Sequence, residues 1–250
     1  MNGATPDVLT LPDRRLAYQH FIGDVAKPGI IFLCGYASDM NGTKAEFLDQ
    51  RCRASNISFL RFDYRGHGQS SGEFIDGTIG DWFDDTLQAF DRLTTGKHII
   101  IGSSMGGWLG LMLSMQRPER VAAFIGIAAA PDFTQDLMIP HLSTEQKEKL
   151  ARDGTICVPS TPPDAPLPLT QKFLDEARTH SLLKAPIDIF CPVRLLQGMQ
   201  DEDVPWKHAL RIAETIAHSD VRVELIKDGN HRLSRIQDMD VLWKMVEEFI

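Results

Sequence analysis

Seven apolar runs of strand length punctuate the chain, at residues 15–21, 30–33, 57–62, 98–101, 121–128, 193–197 and 221–226. Between most of them the apolar residues change to steps of three and four, the period of a helix with one buried face. The clearest case follows Thr78, a residue suited to capping: Ile79, Trp82, Phe83, Thr86, Leu87, Phe90 and Leu93 fall on one stripe. The last segment repeats that stripe at Ile236, Met239, Leu242, Val246 and Phe249, with charged residues between. Strands alternating with such helices predict an α/β architecture, a mostly parallel central sheet with helices on both faces.

Between Pro131 and Pro192 the alternation stops, and 9 of the 14 prolines fall there, five of them from Pro159 to Pro168. Helical turns are predicted within this stretch at 145–152 and 171–178. Set between two strands, residues 131–190 read as a helical cap or lid inserted into a single domain spanning 1–250. Such a lid covers the carboxyl edge of the sheet, where ligands bind in open α/β folds. The segment starts with an apolar stripe, Phe133, Leu137, Met138, Ile139 and Leu142. Phe133, Leu137 and Met138 are the candidate substrate-binding residues, for a medium or long acyl chain, although a helix packing on its own domain shows the same stripe.

Composition excludes some partners. The 250 residues are 43% hydrophobic, enough for one sizeable core. Lys and Arg number 26 against 34 Asp and Glu, a net charge of −8 without a block of one sign. A nucleic-acid backbone or an anionic membrane surface is therefore a poor electrostatic match. No stretch approaches the roughly 18 apolar residues of a membrane helix, and the first residues have neither the basic nor the apolar part of a secretion signal. A cytoplasmic protein without membrane insertion is expected. Cys34, Cys52, Cys157 and Cys191 form no C-x-x-C pair, which points to reduced thiols and away from zinc or a disulfide framework.

The chemistry concentrates at Gly102-Ser103-Ser104-Met105-Gly106. Apolar residues precede it and an apolar stretch from Trp108 to Met115 follows, so the context is strand, sharp turn, helix, with Ser104 at the turn. Flanking glycines permit the tight backbone and a close strand-to-helix approach, and the turn projects the hydroxyl above the sheet. A serine hydroxyl is barely ionised at neutral pH, so as a nucleophile it needs a base, and the base needs an orienting acid. His231, in Asp228-Gly229-Asn230-His231-Arg232 just past the 221–226 strand, is the candidate base. The other seven histidines precede that place or sit within predicted elements. For the acid, the loop after the 193–197 strand offers Asp201, Glu202 and Asp203. Asp201 is preferred because it comes at the first turn after Gly198; Asp203 and then Glu202 remain alternatives. Two backbone N–H groups should meet the developing oxyanion, that of Met105 and that of Tyr36 in Cys34-Gly35-Tyr36-Ala37-Ser38.

With these parts in the order serine, acid, histidine, the chain resembles the serine hydrolases of the α/β-hydrolase superfamily over essentially its whole length. The stretch Phe62-Asp63-Tyr64-Arg65-Gly66-His67-Gly68-Gln69-Ser70 is similar to that superfamily's D-x-R-G-x-G-x-S turn, read here as a structural turn with an Asp63–Arg65 pair. The strings Gly35 to Met40, Asp76 to Trp82 and Gly102 to Trp108 look closer to one branch. It comprises the bacterial relatives of the mitochondrial mycophenolic-acid acyl-glucuronide esterase, also described as a palmitoyl-protein thioesterase. The resemblance implies an α/β-hydrolase fold with an inserted cap, and Ser104 as nucleophile, Asp201 as acid and His231 as base. It further implies hydrolysis of acyl esters or thioesters through an acyl-enzyme, with no cofactor or metal. Substrates would be small acyl esters or thioesters, or an acylated protein. One departure stands out: many superfamily members have His-Gly before the oxyanion residue, and this chain has Cys34-Gly35, which removes an imidazole that often braces the loop. Rival readings are a serine peptidase or aminopeptidase of the same fold and a catalytically silent binding scaffold, since a fold alone does not prove activity.

Overall fold

Predominantly apolar runs become inner strands, because a strand with parallel neighbours is covered on both faces. The computed structural model describes residues 5–158 and 166–250. Its strands are β1 (Asp7–Thr10), β2 (Arg15–Phe21), β3 (Gly29–Leu33), β4 (Phe59–Phe62), β5 (His98–Ser103), β6 (Val121–Ile127), β7 (Thr155–Val158), β8 (Leu167–Thr170), β9 (Val193–Gly198) and β10 (Val221–Ile226). Eight of them form one sheet in the order β1-β2-β4-β3-β5-β6-β9-β10, in which β2 runs antiparallel to both neighbours and the rest is parallel. Every residue of β3, β4, β5 and β9 is buried, whereas the edge strand β10 alternates. β1 escapes the sequence pattern because its four residues supply only Val8 and Leu9 as apolar contacts.

The helices are α1 (Thr43–Ala54), α2 (Ile79–Leu93), α3 (Met105–Gln116), α4 (Ile139–His141), α5 (Thr144–Asp153), α6 (Gln171–Ala177), α7 (Lys207–Thr215) and α8 (Ile236–Glu247). The chain moves one way from β3 to β4 and the other way from β5 to β6. Right-handed crossovers then put α1 on one face of the sheet and α3 on the other. α8 joins α1, and α2 packs beside α3. α2 starts as its sequence predicts: Thr78 caps it by accepting the Asp81 N–H, and Ile79, Trp82, Thr86 and Phe90 are buried. Asp85 is buried on that same helix.

The D-x-R-G-x-G-x-S turn is built differently from the expected pair. Arg65 reaches past Asp63 to Asp81 and Asp85 on α2, both at 2.9 Å. The Asp63 carboxylate instead accepts the backbone N–H groups of Met40 and Gln69, at 2.7 and 2.8 Å. A buried carboxylate that gathers main-chain donors fixes two loops at once, here the turn itself and the loop that follows β3.

Between β6 and β9 the chain makes an excursion containing a wide turn at Thr134–Met138, α4, α5, the antiparallel pair β7 and β8, α6 and a short turn at Arg178–His180. Side chains pin it down. Asp132, 2% exposed, accepts the N–H groups of Leu182 and Leu183 at 2.8 and 2.9 Å, which closes the base of the excursion. Trp108 Nε1 on α3 donates to the His180 carbonyl at 3.0 Å, and Glu176 accepts the Gly80 N–H at the start of α2. Residues 159–165, with three of the five clustered prolines, lie outside the described residues.

Candidate active site

Ser104 occupies the turn between β5 and α3 with φ 53° and ψ −119°. A non-glycine residue stays in that region only when its surroundings over-determine it. Here they do. The Ser104 N–H donates to the Ile127 carbonyl at 2.9 Å, and the Ser104 carbonyl accepts from Ala130 and Gly107 at 3.0 and 2.8 Å. The flanking glycines make room. A Cβ on Gly102 would lie 2.2 Å from the Gly106 oxygen, and one on Gly106 would lie 2.1 Å from the Leu33 oxygen. So β3, β5 and α3 meet at main-chain distance around the serine.

His231 and Asp201 arrive on two neighbouring loops. Gly198 and Gly229 touch backbone to backbone, and the N–H groups of Met199 and Gln200 donate to the carbonyls of Ile226 and Gly229, both at 2.8 Å. This ties the loop after β9 to the loop after β10. His231 Nδ1 lies 2.8 Å from Asp201 Oδ2, and Nε2 lies 3.2 Å from Ser104 Oγ. A carboxylate only accepts, so Nδ1 carries the proton and Nε2 is left as acceptor for the Ser104 hydroxyl. The Asp201 side chain is buried. Its Oδ1 accepts the N–H groups of Asp203 and Val204 at 2.9 and 2.7 Å, and Oδ2 also accepts from Gln197 Nε2 at 2.8 Å. The alternatives Glu202 and Asp203 are exposed. Asp201, Asp203 and His231 could each offer a metal one atom within a 4.8 Å cluster. The bonds just given already occupy the lone pairs of Asp201 that a cation would need.

The loop after β3 faces the serine. A Cβ on Gly35 would sit 3.3 Å from Ser104 Cβ and 4.0 Å from its Oγ. Among the described residues, neither the Tyr36 N–H nor the Met105 N–H has a hydrogen-bond acceptor. The missing imidazole is replaced: Cys34 Sγ donates to the Ser38 carbonyl at 3.6 Å, and the Tyr64 hydroxyl donates to the Cys34 carbonyl at 3.2 Å. Burial, with Asp63 and Asp39 nearby, pushes the Cys34 thiol well above its ordinary range, so it keeps the proton it donates. The Tyr36 side chain is tied to the excursion between β6 and β9. Its ring packs against Phe74, Phe133 and Phe173, and its hydroxyl donates to the Pro168 carbonyl at 3.3 Å.

Ser104 opens into a cavity of about 440 Å³ whose wall includes Tyr36, Lys44, Leu167, His231 and Arg232. Phe133, Leu137 and Met138 are absent from that wall. Phe133 is 8% exposed and meets Tyr36, Trp108 and Phe173, while Leu137 and Met138 pack on the core. A stripe at helical spacing signals such packing as readily as a pocket surface. The sequence reading also missed Gln197 and Lys44. An amide inside the apolar run of β9 is the signal for the first; nothing in the pattern of α1 signals the second. Among the described residues no helix is long and apolar enough to cross a membrane, and all four cysteines are free.

The Hydrolase_4 family, described as "Serine aminopeptidase, S33", matches residues 25–153. The mouse protein named "Palmitoyl-protein thioesterase ABHD10, mitochondrial" is 40% identical over 238 residues, 94% of this chain and 78% of the mouse protein. The human protein of that name is 39% identical over 244 residues, 97% of this chain and 79% of its own. The solved structure of the mouse protein superposes with a TM-score of 0.90 at 38% identity and covers 98% of both chains.

Proposed function

Since the chain belongs to the α/β-hydrolase family, in the branch of the ABHD10 thioesterases, and is an ester or thioester hydrolase, we propose that it works through a covalent acyl-serine at Ser104. The observation that carries this reading is the hydrogen-bonded chain from Asp201 through His231 to Ser104. His231 Nε2 takes the hydroxyl proton as Ser104 Oγ attacks the acyl carbon. It then gives that proton to the departing alcohol or thiol as the carbon–oxygen or carbon–sulfur bond breaks. Water enters, His231 takes its proton, and the acid leaves with Ser104 restored. Asp201 holds the tautomer and stabilises the imidazolium, while the free N–H groups of Met105 and Tyr36 receive the oxyanion.

Residues 131–190 act as a cap in this proposal. Its support is that Leu167 lines the cavity and that Tyr36 holds the Pro168 carbonyl next to it. Small acyl esters and thioesters are the substrates, and S-acylated proteins join them by extension from the names of the mammalian relatives. A cytoplasmic location belongs to the same proposal, supported by four free cysteines; the mammalian relatives carry "mitochondrial" in their names, and fractionation of host cells decides.

The test is a panel of oxygen esters, matched thioesters and an amide, with Ser104→Ala as the blank. Ester and thioester turnover should fall about ten-thousand-fold or more in the variant. Retention of near-native rates would exclude Ser104 as nucleophile, and an amide rate equal to the ester rate would favour the peptidase reading instead.

A further inference from the structure

The wall of the cavity at Ser104 carries two cations that have no carboxylate partner among the ion pairs of the described residues. Lys44 sits in the first turn of α1, and Arg232 directly follows His231. Lys44 Nζ donates to the Arg232 carbonyl at 2.6 Å, which fixes the ammonium beside the loop that carries His231. One of its three N–H bonds is so used. Asp39 also lines the wall; its Oδ1 accepts the Asn41 N–H at 2.8 Å, and it pairs with neither cation. Burial, with Arg232 alongside and Asp238 acting weakly the other way, pulls the Lys44 ammonium down to about 8. Lys44 is half-buried and Arg232 exposed on the same wall, and two like charges so placed repel each other unless an opposite charge joins them.

We propose that Lys44 and Arg232 form a subsite for an anionic group, a carboxylate or a phosphate, on the leaving half of the substrate. The assignment rests on the acyl-serine mechanism above: His231 must reach the leaving atom to protonate it, so the residues beside His231 flank the leaving alcohol or thiol. An anion there completes the hydrogen bonding of the Lys44 ammonium and separates the two positive charges. The subsite thus makes the leaving group a determinant of selectivity, independent of acyl length.

Four thioesters of one acyl chain test it in two arms. The carboxylate arm compares mercaptopropionate with mercaptopropionamide as leaving thiols, and the phosphate arm compares mercaptoethyl phosphate with mercaptoethanol. The readout is the charged-to-neutral ratio of kcat/KM, which a loss of folded or active enzyme does not move. The wild-type ratio should be about tenfold or higher in at least one arm, as expected for charge-assisted hydrogen bonds, and that arm identifies the anion. Lys44→Gln and Arg232→Gln should each lower it toward one through KM, and Lys44→Arg should retain it. A ratio near one in both arms of the wild type, or one that Lys44→Gln leaves unchanged, overturns the subsite alone. If none of the four thioesters shows Ser104-dependent turnover, the mechanism falls and the subsite with it.

Discussion

The floor of the candidate site and the excursion above it are held by different kinds of contact. In the floor, β3, β5 and α3 meet main chain to main chain, at separations that glycines at 102 and 106 alone permit. The excursion is fastened by individual polar side chains that reach backbone groups: Asp132 to Leu182 and Leu183, Trp108 to His180, Glu176 to Gly80, Tyr36 to Pro168. A main-chain contact has no spare conformations, so the serine is placed by the geometry of the sheet itself. A side-chain fastening can be exchanged for another of similar strength. One architecture can therefore keep its chemistry fixed while the elements above the cavity vary.

Substitutions in the two regions should differ accordingly. Gly106→Ala puts a methyl 2.1 Å from the Leu33 oxygen and 2.6 Å from the Cys34 oxygen, neither of which can rotate away. We expect a loss of about 3 kcal/mol or more, a fall in Tm of roughly 10 °C, read by calorimetry. A variant that melts within a degree or two of wild type would remove the distinction between the regions. Asp132→Asn tolerates the local φ of 59° but presents an amide NH₂ to one of two backbone donors. It should cost about 1–3 kcal/mol, with activity falling less than stability. Tyr36→Phe, which removes one bond at 3.3 Å and keeps the ring packing and the N–H, should cost about 1 kcal/mol or less.

The same division explains what could be read from the chain. β2 and β10 have the bounds that their apolar runs predict, and α2 starts at its expected cap, because periodicity and burial are set by the same residues. The elbow was legible because only glycine fits beside Ser104. The helices of the excursion follow their pattern as well, at Thr144–Asp153 and Gln171–Ala177, but its fastenings do not, since an Asp or a Glu that binds backbone looks like any surface acid in a sequence. The stripe of Phe133, Leu137 and Met138 reports that a face is buried and not what it faces. The turn pattern offers Arg65 the acid two residues away, whereas its partners Asp81 and Asp85 come from the next helix. Lys44 carries no pattern at all; only the fold brings α1 to the loop of His231.

The most direct test of the central claim is rapid quenching of the wild-type enzyme with a slowly hydrolysed acyl thioester, followed by intact and peptide mass measurement. The mechanism predicts a single added acyl group on the peptide holding Ser104, formed with release of thiol and lost at the rate of turnover. Burst release of thiol with no acyl adduct, or an adduct on another residue, would contradict it.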